Sequence, residues 1–179
     1  MAKRRLVFYG AVTLDGYLAG TDEQLGWLHD TYLGENGTTY DDFIQSVDCL
    51  VMGRVTFEET MALVALNEWI GERDIIVFSR DQHFSHPDPR VRVVHQEPVA
   101  FLRTLAEQDG ADIWLVGGGN LLHPILEADL VDEWWIQIAP VLLGQGKRLF
   151  EPGDYAARLA FVETKQMGDL VELHYRRQA

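Results

Sequence analysis

Three short runs of apolar residues, Cys49-Leu50-Val51-Met52, Ile75-Ile76-Val77-Phe78 and Ile113-Trp114-Leu115-Val116, carry no polar alternation. A strand with one wet face alternates apolar and polar residues. Unbroken runs of this length therefore predict strands covered on both faces, as in a mostly parallel sheet between helical layers. Val91-Arg92-Val93-Val94 is a weaker run of the same kind, and Leu6-Val7-Phe8-Tyr9 opens the chain as a further strand. A turn-rich stretch runs from Thr13 to Gly26, and helical patterns cover Thr38 to Val47, Val55 to Leu66, Pro98 to about Gln108, and Asn120 to Ala128. Pro98 suits a first helical turn and Gly110 ends that helix; Pro124 is expected in the first turn of its own helix, since an interior Pro forgoes a hydrogen bond.

After Asp132 the pattern changes. Glu133 to Leu143 reads as a strand in which Trp134 and Trp135 point to opposite faces. Leu159 to Thr164 and Leu170 to Arg176 read as a hairpin turning near Met167-Gly168-Asp169. Val171, Leu173 and Tyr175 alternate with Glu172, His174 and Arg176, so the polar set is expected to be the wet face. The class that follows is α/β, a three-layer fold with a mixed, mostly parallel central sheet and an antiparallel C-terminal hairpin. No linker or repeat divides residues 1–179, which are expected to form one domain large enough to bury a core without disulfides.

Charge narrows the function. Lys and Arg number 15 against 28 Asp and Glu, a formal net charge of -13, and a field of that sign opposes nucleic-acid binding. No apolar run approaches a membrane span. The basic opening, Met1 to Arg5, leads into a strand and not a secretory signal, and Cys49, the single Cys, supports neither a disulfide nor a Cys-based zinc site. A cytoplasmic protein with a small-molecule substrate is expected. An anionic ligand would need cations placed where it docks, which makes each Arg at a strand end informative.

Three strand-to-helix junctions meet that need. Met52 is followed by Gly53-Arg54-Val55-Thr56, Phe78 by Ser79-Arg80-Asp81, and Val116 by Gly117-Gly118-Gly119-Asn120. In an open α/β sheet, ligands bind beyond the carboxyl ends of the strands. Glycine admits a phosphate close to the backbone, the free N–H groups of the following helix face it, and Arg grips it with a charged fork. Singly, each junction reads as an ordinary turn or a solvated Arg. Together they predict a dinucleotide or phosphorylated-ligand cradle, although the G-x-G-x-x-G fingerprint is missing.

The succession Thr13-Leu14-Asp15-Gly16-Tyr17-Leu18-Ala19, Val51-Met52-Gly53-Arg54-Val55-Thr56-Phe57-Glu58 and Val116-Gly117-Gly118-Gly119-Asn120-Leu121 resembles the dihydrofolate reductase superfamily. Within it, Leu130-Val131-Asp132-Glu133 and Ala139-Pro140-Val141-Leu142-Leu143-Gly144, with Gly146 and Leu149-Phe150, resemble the reductase domain of bacterial riboflavin biosynthesis enzymes. The resemblance implies a dihydrofolate reductase-like fold and an NADPH-dependent reductase acting on a small heterocycle or related C=N or C=O compound. By matching position it implies that Gly53, Arg54 and Thr56 meet the cofactor phosphates and that Ser79 and Arg80 hold the adenosine 2′-phosphate. Gly117, Gly118, Gly119, Asn120 and Leu121 would then lie under the pyrophosphate and nicotinamide, while Ala11 and the loop from Leu14 to Ala19, with Gly16, close over the nicotinamide. Dihydrofolate reductases also carry an acidic residue on the first helix. Counting back from Gly53 lands near Gly37, with Asp41 and Asp42 close by, and this departure weighs against folate turnover.

Further expectations concern single residues. Asp15 is either a turn former or a proton source for the reduced substrate, the latter requiring a raised pKa. Trp27, Tyr40, Phe43 and Phe57 are candidates to line a flat-ring pocket. Asp81, His83, His86 and Asp88 read as a solvated loop and not a metal site, and Cys49 as a buried thiol. The long apolar strand at Trp134 to Leu143, with Val171, Leu173 and Tyr175, predicts a homodimer. Two rivals stand beside the enzyme: a nucleotide-binding protein without catalysis, and a flavodoxin-like FMN binder, which the C-terminal hairpin disfavours.

Overall fold

Residues 3–21 and 25–178 are described by the structure, a computed structural model. Residues 22–24 of the turn-rich stretch, Met1 and Ala2 of the basic opening and Ala179 lie outside the described residues. The chain runs β1 (Leu6–Thr13), β2 (Tyr17–Ala19), α1 (Gly26–His29), α2 (Tyr40–Gln45), β3 (Val47–Gly53), α3 (Arg54–Leu63), α4 (Leu66–Ile70) and β4 (Asp74–Phe78). It continues through β5 (Val91–Val94), α5 (Pro98–Ala106), β6 (Asp112–Gly117), α6 (Gly119–Glu127), β7 (Glu133–Ala139), β8 (Lys147–Arg148), β9 (Leu159–Met167) and β10 (Leu170–Arg177).

The unbroken apolar runs became β3, β4 and β6, in the middle of an eight-stranded sheet of order β5-β4-β3-β6-β1-β7-β10-β9. From β5 to β7 the pairings are parallel. β10 pairs antiparallel with both β7 and β9. One face carries Leu6, Phe8, Val51, Leu115 and Ile113 beneath Leu102 of α5 and Leu122 of α6. The other carries Val7, Tyr9, Leu50 and Ile75 beneath Phe43 of α2, Phe57 of α3 and Ile70 of α4. Helices on both faces are what a sheet of doubly buried strands requires. Burial pushes the Cys49 thiol up to about 12. Trp134 packs on Phe8 in the first core and Trp135 near Phe43 in the second, as strand alternation demands.

Several elements differ from expectation. The helix read over Val55 to Leu66 is two, because Val64 and Ala65 are extended. α6 begins at Gly119, so Pro124 is interior and not in the first turn; the N–H it lacks would have reached the carbonyl of Asn120, which is exposed. The strand from Glu133 stops at Ala139, before Pro140. The hairpin faces are reversed: Glu172 is fully buried and His174 is 5% exposed, whereas Val171 is 41% exposed. The polar side chains face inward because long-range partners receive them, Thr39 and Gln137 at Glu172 and Glu133 at His174. The small β2–β8 sheet and α1 carry too little periodicity to be read locally. Among the described residues no helix is long and apolar enough to cross a membrane.

Candidate active site

β4, β3 and β6 are neighbours, and their carboxyl ends fall together: Gly53 lies opposite Phe78, and Met52 opposite Gly117. All three glycine or arginine junctions therefore share one edge, but only those after Met52 and Val116 open a helix; the expected helix after Phe78 is a loop leading to β5. Gly53 caps α3 in an extended conformation, with open space where a side chain would project. Gly117 and Gly118 take positive φ of 120° and 91°, and a Cβ at Gly118 would lie 3.1 Å from the Thr56 hydroxyl. The β6–α6 turn thus packs directly on the first turn of α3, a fit that only glycine allows without strain. Asn120 is exposed beside this turn, while Leu121 is buried in the first core.

The arginines differ in their availability. Arg54 is held by Glu58 at 3.0 Å and Asp81 at 2.6 Å, with its guanidinium 4.8 Å above the Phe84 ring. The Asp81 carboxyl sits below its usual range because the His83 amide donates to it and Arg54 lies alongside. Ser79 is buried, and its hydroxyl accepts the Asp81 amide at 3.1 Å. Arg80 is exposed and makes no ion pair or side-chain hydrogen bond among the described residues. In a chain this acidic, a cation with no partner among the described residues, on the strand edge that also carries the glycine turn, is notable electrostatically. Arg90 holds the Asp88 carboxyl down to about 2, and His86 meets the Phe57 ring edge-on at 5.3 Å. Among the described residues no group of three or more His, Cys, Asp or Glu could hold a metal ion.

β1 pairs with β6 only as far as Phe8 but stays with β7 to Thr13. The strands diverge at Gly10 and Ala11, on the side of the Gly117 turn. The loop that follows is stapled to the segment after β7. Asp15 accepts from the Thr13 hydroxyl at 2.6 Å, the Gly144 amide at 2.7 Å and the Leu143 amide at 3.0 Å. The Leu149 amide donates to the Gly16 carbonyl, the Tyr17 hydroxyl to the Gly144 carbonyl, and a Cβ at Gly146 would strike the Ala19 carbonyl. The Thr13 hydroxyl and then the Gly144 and Leu143 amides hold the Asp15 carboxyl below its ordinary value. A proton source would need the opposite shift; the geometry favours the turn-forming alternative for Asp15, whose oxygens are committed to the staple. Arg148, which the sequence reading passed over, lies 5.2 Å above the Tyr17 ring, its carbonyl facing Gly119.

The aromatic candidates separate. Phe43 and Phe57 are each 2% exposed within the second core, with Phe43 stacked on Tyr9 at 4.4 Å. Tyr40 packs edge-on to Trp114 at 5.8 Å, partly buried against the same core. Trp27 lies against Ala139, Met167 and Leu170, its indole N–H buried with no acceptor among the described residues. Two positions along β10 from Leu170 is a polar cluster that local pattern could not reveal: Glu172 accepts from Thr39 at 2.6 Å and Gln137 at 2.5 Å, and Thr39 meets the Tyr9 hydroxyl at 3.2 Å.

With this geometry in place, comparison with known proteins is informative. The RibD C-terminal domain family matches residues 4–173. The chain is 35% identical to the uncharacterized protein YwjB of Bacillus subtilis (strain 168) over 173 residues, covering 97% of this chain and 98% of that protein. A proposed riboflavin biosynthesis protein from Shewanella sp. PV-4 superposes with a TM-score of 0.84 at 27% identity, over 98% of this chain and 99% of the other. A dihydrofolate reductase from Enterococcus faecalis complexed with NADP(H) shares the fold, with a TM-score of 0.66 at 17% identity and 99% coverage of both chains.

Proposed function

The chain belongs to the RibD C-terminal domain family and has a dihydrofolate reductase-like fold, and from that premise we propose that it is a cytoplasmic, NADPH-dependent reductase of a small heterocyclic or related C=N or C=O compound. The observation that carries the reading is the shared strand edge: a Cβ-free turn closed on Thr56, two helix starts, and an exposed Arg80 without an ion-pair partner among the described residues. These features fit the cofactor. Positive-φ glycines present backbone N–H groups to a pyrophosphate, the starts of α3 and α6 favour negative charge, and Arg80 suits a 2′-phosphate. Arg54 is already neutralised by Glu58 and Asp81, so discrimination between NADPH and NADH rests on Arg80.

NADPH, when bound, supplies the hydride. The residues of the chain bind and orient: Gly53, Thr56 and the Gly117–Gly119 turn at the phosphates, Ser79 and Arg80 at the adenosine, and Ala11 with the stapled loop through Gly16 and Ala19 over the reacting ring. Asp15 serves by fixing that loop, which keeps water from the reaction zone. The expected seam through Trp134 to Leu143 is not available, because β7 lies between β1 and β10 and Trp134 is buried. The reductase acts as a homodimer built instead on an apolar strip in which exposed Phe161 meets Tyr175 at 5.9 Å, beside Val171 and Leu173. The test is NADPH oxidation, followed by nicotinamide absorbance, across a panel of heterocyclic imines and carbonyl compounds. Turnover of at least one supports the reading. Tight NADPH binding with no turnover across the panel would favour the non-catalytic nucleotide binder.

A further inference from the structure

Glu172 is fully buried, and its two carboxylate oxygens are treated differently by the fold. One accepts hydrogen bonds from the Thr39 hydroxyl and the Gln137 amide; the other has no partner among the described residues. A buried carboxylate oxygen without a donor is costly, and a native structure that keeps one calls for an explanation. An apolar side chain would fill the space more cheaply if packing were its only purpose. The side chain is also held still, since Thr39 is backed by the Tyr9 hydroxyl and its own amide donates to the Met167 sulfur.

Position adds the second observation. Ala11 of β1 lies opposite Gln137 of β7, which lies opposite Glu172 of β10. Adjacent strands are about 4.8 Å apart, so Glu172 stands roughly 10 Å from Ala11 along one row, about the span of a flat two-ring ligand. The next residues along the same strand faces are Ala139 and Leu170, and against them lies Trp27, whose indole N–H is buried with no acceptor among the described residues. The row therefore offers one unmet acceptor, and Trp27, against the residues that follow it, offers one unmet donor among the described residues. A loop roofs this end: the Asp169 amide donates to the Tyr32 carbonyl at 2.8 Å, and Gly34 and Gly168 meet backbone to backbone. No carboxylate of α2 competes for the role, since Asp41 and Asp42 are exposed.

We propose that Glu172 is a substrate-positioning carboxylate that accepts an N–H from a flat heterocycle carrying a ring N–H beside a ring C=O, whose oxygen receives the Trp27 indole N–H. The inference rests on the reductase reading only for the place of the reacting ring near Ala11; binding of the heterocycle can be read without turnover.

The probe is lumazine, a fused pteridinedione with ring N–H groups, set against 1,3-dimethyllumazine, which keeps the carbonyls and lacks the N–H groups of the dione ring. Titrations are read by ligand fluorescence and by the Trp27 indole resonance in ¹H–¹⁵N spectra, assigned with Trp27→Phe. Lumazine is expected to bind about tenfold or more tighter than the dimethyl compound and to shift the Trp27 resonance, a loss on the scale of one charge-assisted hydrogen bond. Glu172→Gln should weaken lumazine by a similar factor, leave the dimethyl compound unchanged and leave NADPH affinity intact. Should that variant fail to fold, the wild-type comparison of the two probes and the Trp27 shift decide alone. Absent lumazine binding, equal binding of the two probes, equal lumazine affinity in Glu172→Gln, or an unmoved Trp27 resonance overturns the proposal. Glu172-dependent lumazine binding in a protein that ignores NADPH would instead strike the reductase reading and leave this one standing.

Discussion

The carboxylate of Asp15 accepts the backbone N–H of Gly144 at 2.7 Å, joining positions 129 residues apart. With the Thr13 hydroxyl and the Leu143 amide on the same side chain, the contact fixes the loop after β1 against the segment after β7. It is strongest while Asp15 is ionised. Its folded pKa is depressed below the ordinary 3.8, so the staple is intact at neutral pH and is lost only as the pH falls through that lowered value. Asp15→Ala should weaken cofactor affinity several-fold. Asp15→Asn should leave the neutral limb of the pH–rate profile in place, with kcat reduced by less than about tenfold, since a general acid would be worth 10²–10⁴. Loss of that limb in Asp15→Asn would restore Asp15 as the proton source.

The two glycines at the cradle should respond differently to Ala. Gly118 has φ of 91° and a blocked Cβ position, whereas Gly53 has φ of -78° and open space. Gly118→Ala should cost about 1–3 kcal/mol of stability, the scale of a strained backbone position, and also weaken NADPH. Gly53→Ala should leave the thermal midpoint nearly unchanged and still weaken NADPH, because the added methyl enters the space a phosphate needs. Unaltered cofactor affinity in Gly53→Ala would remove that residue from the cradle.

Glu133 holds together the far end of the sheet. It meets Arg5 at 2.5 Å, His174 at 2.5 Å and Arg176 at 3.3 Å. Burial alone would raise its carboxyl, but the His174 hydrogen bond and the Arg5 and Arg176 charges outweigh it and hold it below the ordinary 4.5. Glu133→Gln should destabilise the protein by about 1.5–3 kcal/mol near pH 7, the range for hydrogen bonds to charged groups, with two partners half-exposed. A depressed carboxyl stabilises above the unfolded value and loses that contribution as the pH falls through the folded one. The gap between wild type and variant in denaturant unfolding should therefore be full at neutral pH and shrink below 4.5. A gap independent of pH would contradict the ionised pairing.

The strip containing Phe161, Val171, Leu173 and Tyr175 predicts the assembly. Phe161 is 62% exposed, and a paired Phe161→Lys, Val171→Lys variant should convert a dimer into a soluble monomer by light scattering. A wild-type monomer at micromolar concentration would refute the assignment.

The parallel core was legible because burial on both faces leaves a local mark: Leu50-Val51-Met52 and Ile75-Ile76-Val77 have no polar residue to alternate. The three junctions were legible for the same reason, since glycine and arginine follow each run directly. The hairpin was read, but its faces were exchanged. Glu172 looked solvated because nothing near it in sequence reveals that Thr39, 133 positions away, donates to it. Asp15 stayed open between turn former and acid because its amide partners lie beyond β7. Phe43 and Phe57 belong to the second core, which aromatic type alone does not reveal. Local pattern reports burial; it does not report which distant group satisfies a buried polar atom.

The central claim, an NADPH cradle selected by Arg80, is tested most directly by calorimetric titration of the wild-type protein and Arg80→Ala with NADPH and NADH. The account predicts a preference for NADPH of about 10–100-fold, equivalent to roughly 1.5–3 kcal/mol for a charge-assisted contact, that Arg80→Ala largely erases by weakening NADPH alone. Equal affinities for the two cofactors in the wild-type protein, or a preference that survives Arg80→Ala, would contradict it.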